Sequence, residues 1–216
     1  MIMIAKKAQI LAMFYNTKTN DHNLASNPFK SCIVPRPIAW ISTKGKDGVV
    51  NLAPYSYFNA VADSPPVIMF ASGHQPDGSD KDSLRNIQET GEFVVNIASY
   101  GMHEEVNLSS SNLAYGHSEA EHFAIETLES KLVKPPRVAS CAIALECKLL
   151  QIIEPNLEGK SVSSKMILGH VIGIYIDDNV LTDGKIDIHK LKPIARLGYN
   201  EYAVINDIFK MSRQSS

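Results

Sequence analysis

Between residues 139 and 149 the odd positions are Ala139, Cys141, Ile143, Leu145, Cys147 and Leu149, while Glu146 and Lys148 occupy the other parity. A period of two marks a strand, because successive side chains leave it on opposite faces. The pattern predicts a strand over 139–149 with Cys141 and Cys147 on the same side. KMILGHVIGIYI at 165–176 reads as a second long strand. Its Gly169 and Gly173 share a face, where the missing side chains permit bending or close approach of another backbone. Shorter apolar runs predict further strands at 38–42 (IAWIS), 49–53 (VVNLA), 67–72 (VIMFAS) and 93–98 (FVVNIA). Asp47-Gly48, inside TKGKDG, turns the first two of these into a hairpin, and Asp183-Gly184 supplies a second tight turn. PYSYFNAVADSPP at 54–66 reads as a loop, since Pro65-Pro66 excludes a regular interior strand or helix. GHQPDGSDKD is polar and turn-forming.

Helical signals are short. Ser79 is placed to cap a helix over about 80–90, with Asp82 at its third position, Leu84 and Ile87 as its apolar face, and Gly91 at its end. Residues 102–130 are mixed and partly helical, and Pro135-Pro136 ends that region. Strands dominate and do not alternate with helices as a doubly wound sheet requires. The expected fold is therefore mainly β: a barrel-like antiparallel sheet with a few peripheral helices. The 216 residues suffice for one apolar core, and a single domain over 1–216 is expected, with MSRQSS at 211–216 as a loose tail.

Composition narrows the partners. Lys plus Arg is 21 against 23 for Asp plus Glu, a formal net charge of −2, so bulk charge gives no basis for nucleic-acid binding. Charged residues are only 20% of the chain, which leaves uncharged surface for a subunit interface. No segment approaches 18 uninterrupted apolar residues, so no membrane span is expected, and MIMIAKKAQILAMF lacks the pattern of a signal peptide. The three cysteines, Cys32, Cys141 and Cys147, are odd in number and show no CxxC spacing, which fits a reducing compartment, the cytoplasm.

The phosphate-loop, dinucleotide, zincin and nucleophile-elbow motifs are all absent. His103 with Glu104 and Glu105, and His117 with Glu121 and His122, lack metal-ligand spacing. The richest stretch runs from Pro35 to Asn86. It sets Arg36, Ser42, Thr43, Asn51, Ser56, Ser72 and Lys81 at or near strand ends, where such groups and their amides can hold a phosphate or a polar ring edge. The helix start near Lys81 adds exposed backbone N–H groups. Each of these residues taken singly is equally at home in an ordinary solvated turn, and Asn51 can serve its local backbone.

SCIVPRPIAWISTKG, NLAPYSYFNAVADSPPVIMF and SDKDSLRNI together resemble the flavin reductase-like domain, the FMN-binding split barrel that includes flavoredoxins. VKPPRVA, LECKLL, ILGHVIGIYID and KLKPIARLGYNEY agree with it, so the resemblance spans roughly 25–205. It implies a split β-barrel of antiparallel strands with short peripheral helices, a homodimer, and FMN held beside the subunit interface. Carried over by motif, Ser42 and Thr43 lie near the flavin, Asn51, Ala53, Pro54 and Ser56 line its ring and ribityl chain, and Tyr57 and Phe58 shape the ring pocket. Ser72 and Lys81 lie toward the phosphate, supported by Arg85 or Asn86, and Arg196 lies near the cofactor or the dimer contact. The GHQPDGSDKD loop departs from the compact form of this segment. The implied activity is an oxidoreductase in which NADH or NADPH gives hydride to flavin N5, with free flavin or a protein as acceptor. An electron carrier without direct NAD(P)H oxidation and a non-catalytic flavin-binding or structural dimer are the alternatives.

Overall fold

The structure, a computed structural model, describes residues 12–212 except 115 and 159. The reading of residues 1–14 as lacking a signal peptide falls largely outside it, as does the tail beyond 212. The strands that matter are β1 (Arg36–Pro37), β2 (Ala39–Lys44), β3 (Val50–Tyr55), β4 (Phe58–Asp63), β5 (Pro66–Gly73), β6 (Glu92–Ile97), β7 (Ile143–Ile153), β8 (Ser164–Ile176), β9 (Ile194–Arg196) and β10 (Tyr202–Val204). The helices are α1 (Asp82–Thr90), α2 (His103–Leu108), α3 (Glu119–His122) and α4 (Ile188–Leu191).

Seven strands form one antiparallel sheet in the order β3-β2-β6-β7-β8-β5-β4. Its two edges, β3 and β4, are consecutive in the chain, joined only by Ser56 and Tyr57. A flat sheet would hold those edges about 29 Å apart at the usual strand spacing. Three peptide steps reach at most about 11 Å. The sheet must therefore curl until its edges meet, which makes a barrel split along the β3–β4 seam. The Tyr57 carbonyl accepts the Ala71 N–H at 2.8 Å, which carries the β4–β5 ladder one residue into this link.

The curl creates two cores. Inside the barrel, Ala39, Ile41, Tyr55, Phe70, Phe93 and Ile167 pack together, and α1 contributes Leu84 and Ile87. Tyr55, Phe70 and Phe93 form an aromatic file with centroids 5.1 and 5.6 Å apart. On the other face of β2, Trp40 packs with Leu52, Val106, Val138, Cys141 and Ile194. Covered on both faces, β2 reads as the continuous apolar run IAWIS instead of an alternating one. Most buried polar groups here are bonded to the backbone or to each other. Trp40 Nε1 donates to Ser109 Oγ at 2.8 Å, and Asn96, fully buried, donates to the Trp40 carbonyl and accepts the Val138 N–H. Glu146 accepts the Lys131 and Leu132 N–H groups at 2.9 and 2.6 Å, which ties down the segment before β7.

Three expectations need correction. The stretch 54–66 is not all loop: Pro54 and Tyr55 continue β3, and Phe58–Asp63 is a strand. Residues 59–63 are exposed, so no apolar alternation betrays the strand, and Pro54 sits on a sheet edge where a missing N–H leaves no partner unpaired. Second, β7 begins at Ile143, not 139. Cys141 lies before it in the outer core while Cys147 lies in the barrel, so the two thiols share no face. Burial, against the pull of Arg137, pushes the Cys141 thiol up to about 12, and burial together with the Glu146 charge pushes the Cys147 thiol higher still, so both are inert packing groups. Third, Ser79 does not cap α1. It bonds Asp77 instead, with the Ser79 N–H donating at 2.9 Å and the hydroxyl at 2.6 Å, and Lys81 occupies the cap position with no side-chain cap bond.

The glycines of β8 serve packing. The ladder to β7 shifts register at Leu168/Gly169 and at Val171/Gly173, where the strand bends. What approaches Gly169 is a ring, not a backbone: a Cβ there would lie 2.3 Å from Phe93 Cζ. Gly169→Ala is therefore expected to destabilise the protein by about 1–3 kcal/mol through overpacking. Urea unfolding measures this, and adding Phe93→Leu should restore part of the loss.

Candidate active site

A polar cleft opens where the start of α1 meets the free edge of β3. It is lined by Asn51, Ala53, Pro54 and Tyr55 from β3, Lys81, Asp82 and Ser83 from the start of α1, the Ser109–Leu113 segment after α2, and Glu119 from α3. Its volume is about 160 Å³, and a hollow of about 360 Å³ around Arg85 shares Gln75, Asp82 and Leu113 with it.

The backbone explains why this edge is open. β3 pairs with β2 alone, so alternate residues turn their N–H and C=O groups outward. The Leu52 N–H is one of these and donates to Glu119 Oε2 at 2.9 Å. Pro54, two residues on, has the same parity and no N–H. Across the cleft the first turn of α1 presents backbone N–H groups that no cap side chain takes. Lys81 stands at that helix start and forms no ion pair among the described residues.

The electrostatics are mixed. Glu119 is 5% exposed, and burial pushes its carboxyl up, opposed by the Leu52 N–H and reinforced by the charge of Asp82. Burial also raises Asp82, against the pull of Arg85. The Tyr55 hydroxyl is buried without a hydrogen bond, although Ser83 and Ser72 lie close enough to be felt, and burial raises its pKa.

The residues singled out in sequence divide into three groups. Asn51, Ala53, Pro54 and Lys81 line the cleft, with Arg85 in the adjoining hollow and Asn86 beside Asn51 and Asp82 in a small side recess. Ser42, Thr43 and Ser72 are fully buried behind it. The Ser42 hydroxyl donates to the Pro136 carbonyl, Thr43 Oγ1 accepts from Asn86 Nδ2 at 3.0 Å, and Asn51 Nδ2 donates to Ser83 Oγ at 2.6 Å. The Asn51–Ser83 and Thr43–Asn86 bonds fix α1 against β3 and β2, whereas Ser42 ties β2 to the segment before β7 and the Ser72 hydroxyl donates locally to the Gly73 carbonyl. Arg36, Ser56 and Arg196 line a separate groove of about 760 Å³. Tyr57 sits at the seam, its ring centroid 6.0 Å from the Arg36 guanidinium carbon, and Phe58 packs against the barrel core.

The far wall escaped the sequence reading. Ser109–Leu113 and Glu119 lie in a stretch without apolar period. The only usable signal there is Ser118, whose hydroxyl accepts the Glu121 N–H and starts α3, which places Glu119. Among the described residues no three His, Cys, Asp or Glu side chains gather to hold a metal, and no helix is long and apolar enough to cross a membrane.

An antiparallel split barrel with a polar cleft at the start of its first helix defines a flavin reductase-like architecture. The flavin reductase-like domain family matches residues 31–193, and the chain belongs to it. It is similar to the uncharacterized protein BH2278 of Halalkalibacterium halodurans, 39% identical over 181 residues that cover 84% of this chain and 87% of that one. Among solved structures it is similar to nitrilotriacetate monooxygenase component B from Bacillus cereus, with 31% identity and a TM-score of 0.83 over 95% of this chain and 100% of that one. It also resembles the 2-nitrobenzoate 2-nitroreductase NbaA of Pseudomonas fluorescens, with 29% identity and a TM-score of 0.75 over 86% and 88% of the two chains.

The raised Glu119 carboxyl has a stability consequence. A folded-state pKa above the unfolded one means the native state holds its proton more tightly, so this contribution is present at low pH and is lost as pH rises past the ordinary glutamate value of 4.5 and through the raised one. Glu119→Gln keeps an acceptor for Leu52 without the charge. Its stability relative to wild type should increase between pH 4.5 and pH 7.5 in urea midpoints, and a difference independent of pH would contradict this placement of the carboxyl.

Proposed function

We propose that the protein binds FMN in the α1–β3 cleft and works as an NAD(P)H-dependent flavin reductase. The observation that carries the reading is the uncapped start of α1, with Lys81 beside it, facing the open edge of β3. Open N–H groups at a helix start, together with a lysine, make a phosphate site. Ala53 and Pro54 put small side chains on the opposite wall, where a planar ring needs close backbone approach. The unpartnered Tyr55 hydroxyl and the Asp82 and Glu119 carboxylates offer bonding capacity to ligand hydroxyls. The two carboxylates oppose a phosphate dianion, and Lys81 with the helix start offsets them.

FMN bound there would supply hydride-accepting redox chemistry, with NADH or NADPH as donor and free flavin or a protein as acceptor. The chain's residues bind, orient and exclude water. Lys81 and the first-turn amides anchor the phosphate end. The β3 edge fixes the plane of the ring, and Leu113 with the Ser109–Asn112 segment forms the outer wall. No general base is required, which accords with a cleft whose only acids among the described residues are Asp82 and Glu119.

The cleft is smaller than the about 300–1,000 Å³ of sites that enclose ligands of this size. A homodimer in which a second subunit covers the rest of the flavin accounts for that. Edge strand β4 leaves residues 59–63 exposed, including Val61 at 55%, and offers a face for such an interface.

Lys81→Ala should weaken FMN binding roughly tenfold or more, the cost of one charge-assisted bond, as measured by flavin fluorescence. Under anaerobic conditions, NADH or NADPH should bleach the visible flavin absorbance of the wild-type complex. Bleaching only by a reduced protein partner would instead make this an electron carrier.

A further inference from the structure

The groove that holds Arg36 and Arg196 is unusual in its charge. β1 and β9 set these two arginines directly opposite each other as paired residues. Like charges at paired positions repel. Arg36 is only 6% exposed, and its guanidinium donates to the carbonyls of Lys30, Ile33 and Leu197, while its Nε is buried without a partner. Arg196 donates to the Tyr202 hydroxyl and the Tyr199 carbonyl. Carbonyls satisfy hydrogen bonds but carry no net charge. Among the described residues neither arginine has a carboxylate within ion-pair distance. A desolvated cation without a counter-charge is unfavourable, and an anion in the groove would relieve it.

The groove is fit for one. At about 760 Å³ it is nucleotide-sized, Lys30 adds a third cation, and among the described residues no acidic side chain lines it. Phe29 and Tyr199 stand at its rim, 54% and 52% exposed. Ser56 in its wall is two residues from Pro54 in the flavin cleft, a separation of at most about 7 Å along the chain.

We propose that this groove is a second anion site that takes the diphosphate of a nucleotide, its base flanked by Phe29 and Tyr199. Its position next to the cleft assigns it to the adenosine diphosphate end of the nicotinamide donor. That identity rests on the reductase reading above, whereas binding of a nucleotide diphosphate does not.

ADP, which has no redox group, is the probe. Calorimetric titration of the FMN-saturated protein should show ADP binding, weakened at least tenfold by Arg196→Met and severalfold by Lys30→Ala. Lys81→Ala should weaken FMN and leave ADP untouched. Lys30 is exposed, so its variant keeps the test open if Arg196→Met fails to fold. ADP binding without any oxidation of NADH or NADPH would uphold the site and remove the donor reading. Three results would overturn the proposal: no ADP binding, or equal binding by wild type and both groove variants; loss of FMN instead of ADP in Arg196→Met, which would give the groove to the flavin; or dissociation to a smaller assembly in either groove variant, which would give it to a second copy of the chain.

Discussion

Two residues, Ser56 and Tyr57, join opposite edges of a seven-stranded sheet, and most of the architecture follows from that short link. The sheet has to close, and closure gives it an interior for Phe70, Phe93 and Ile167. It has to remain split, because β3 and β4 are joined end to end and do not pair side by side. The free edge of β3 that results is one wall of the cleft. The same link carries Ser56 into the neighbouring groove, so the α1–β3 cleft and the cationic groove lie on either side of one corner.

The second constraint is the way α1 is held. Thr43, Asn51, Ser83 and Asn86 form two buried side-chain hydrogen bonds that lock its first two turns to β2 and β3, while Leu84 and Ile87 reach into the barrel. A helix fixed so firmly by its flank does not need a cap. Its uncapped start is therefore available to a ligand, which agrees with the preference for rigid support beneath a binding site.

Much of this was legible in the chain. The strands with one buried face, the Asp47-Gly48 hairpin and Gly91 at the end of α1 announced themselves by period and turn chemistry, with Gly91 at φ +71°. The resemblance carried by NLAPYSYF and SDKDSLRNI placed the cleft-lining residues Asn51, Ala53, Pro54 and Lys81. What stayed hidden has a physical cause in each case. β4 is an exposed edge and has no apolar pattern to show. Ser79 had two competing partners, and the turn through Asp77 took it. Nothing local distinguishes Ser42, Thr43 and Ser72, which are buried, from hydroxyls that face a ligand. Glu119 and the Ser109–Leu113 wall reach the site only through tertiary packing, and the pairing of Arg36 with Arg196 joins positions far apart in the chain.

The central claim is that the start of α1 and Lys81 read a phosphate while the β3 edge reads the flavin ring. Comparing the binding of FMN and riboflavin by flavin fluorescence tests it most directly, because the two ligands differ only in that phosphate. The account predicts that FMN binds at least tenfold more tightly than riboflavin and that Lys81→Ala removes most of the difference. Equal affinity for the two flavins, or no binding of either, would contradict it.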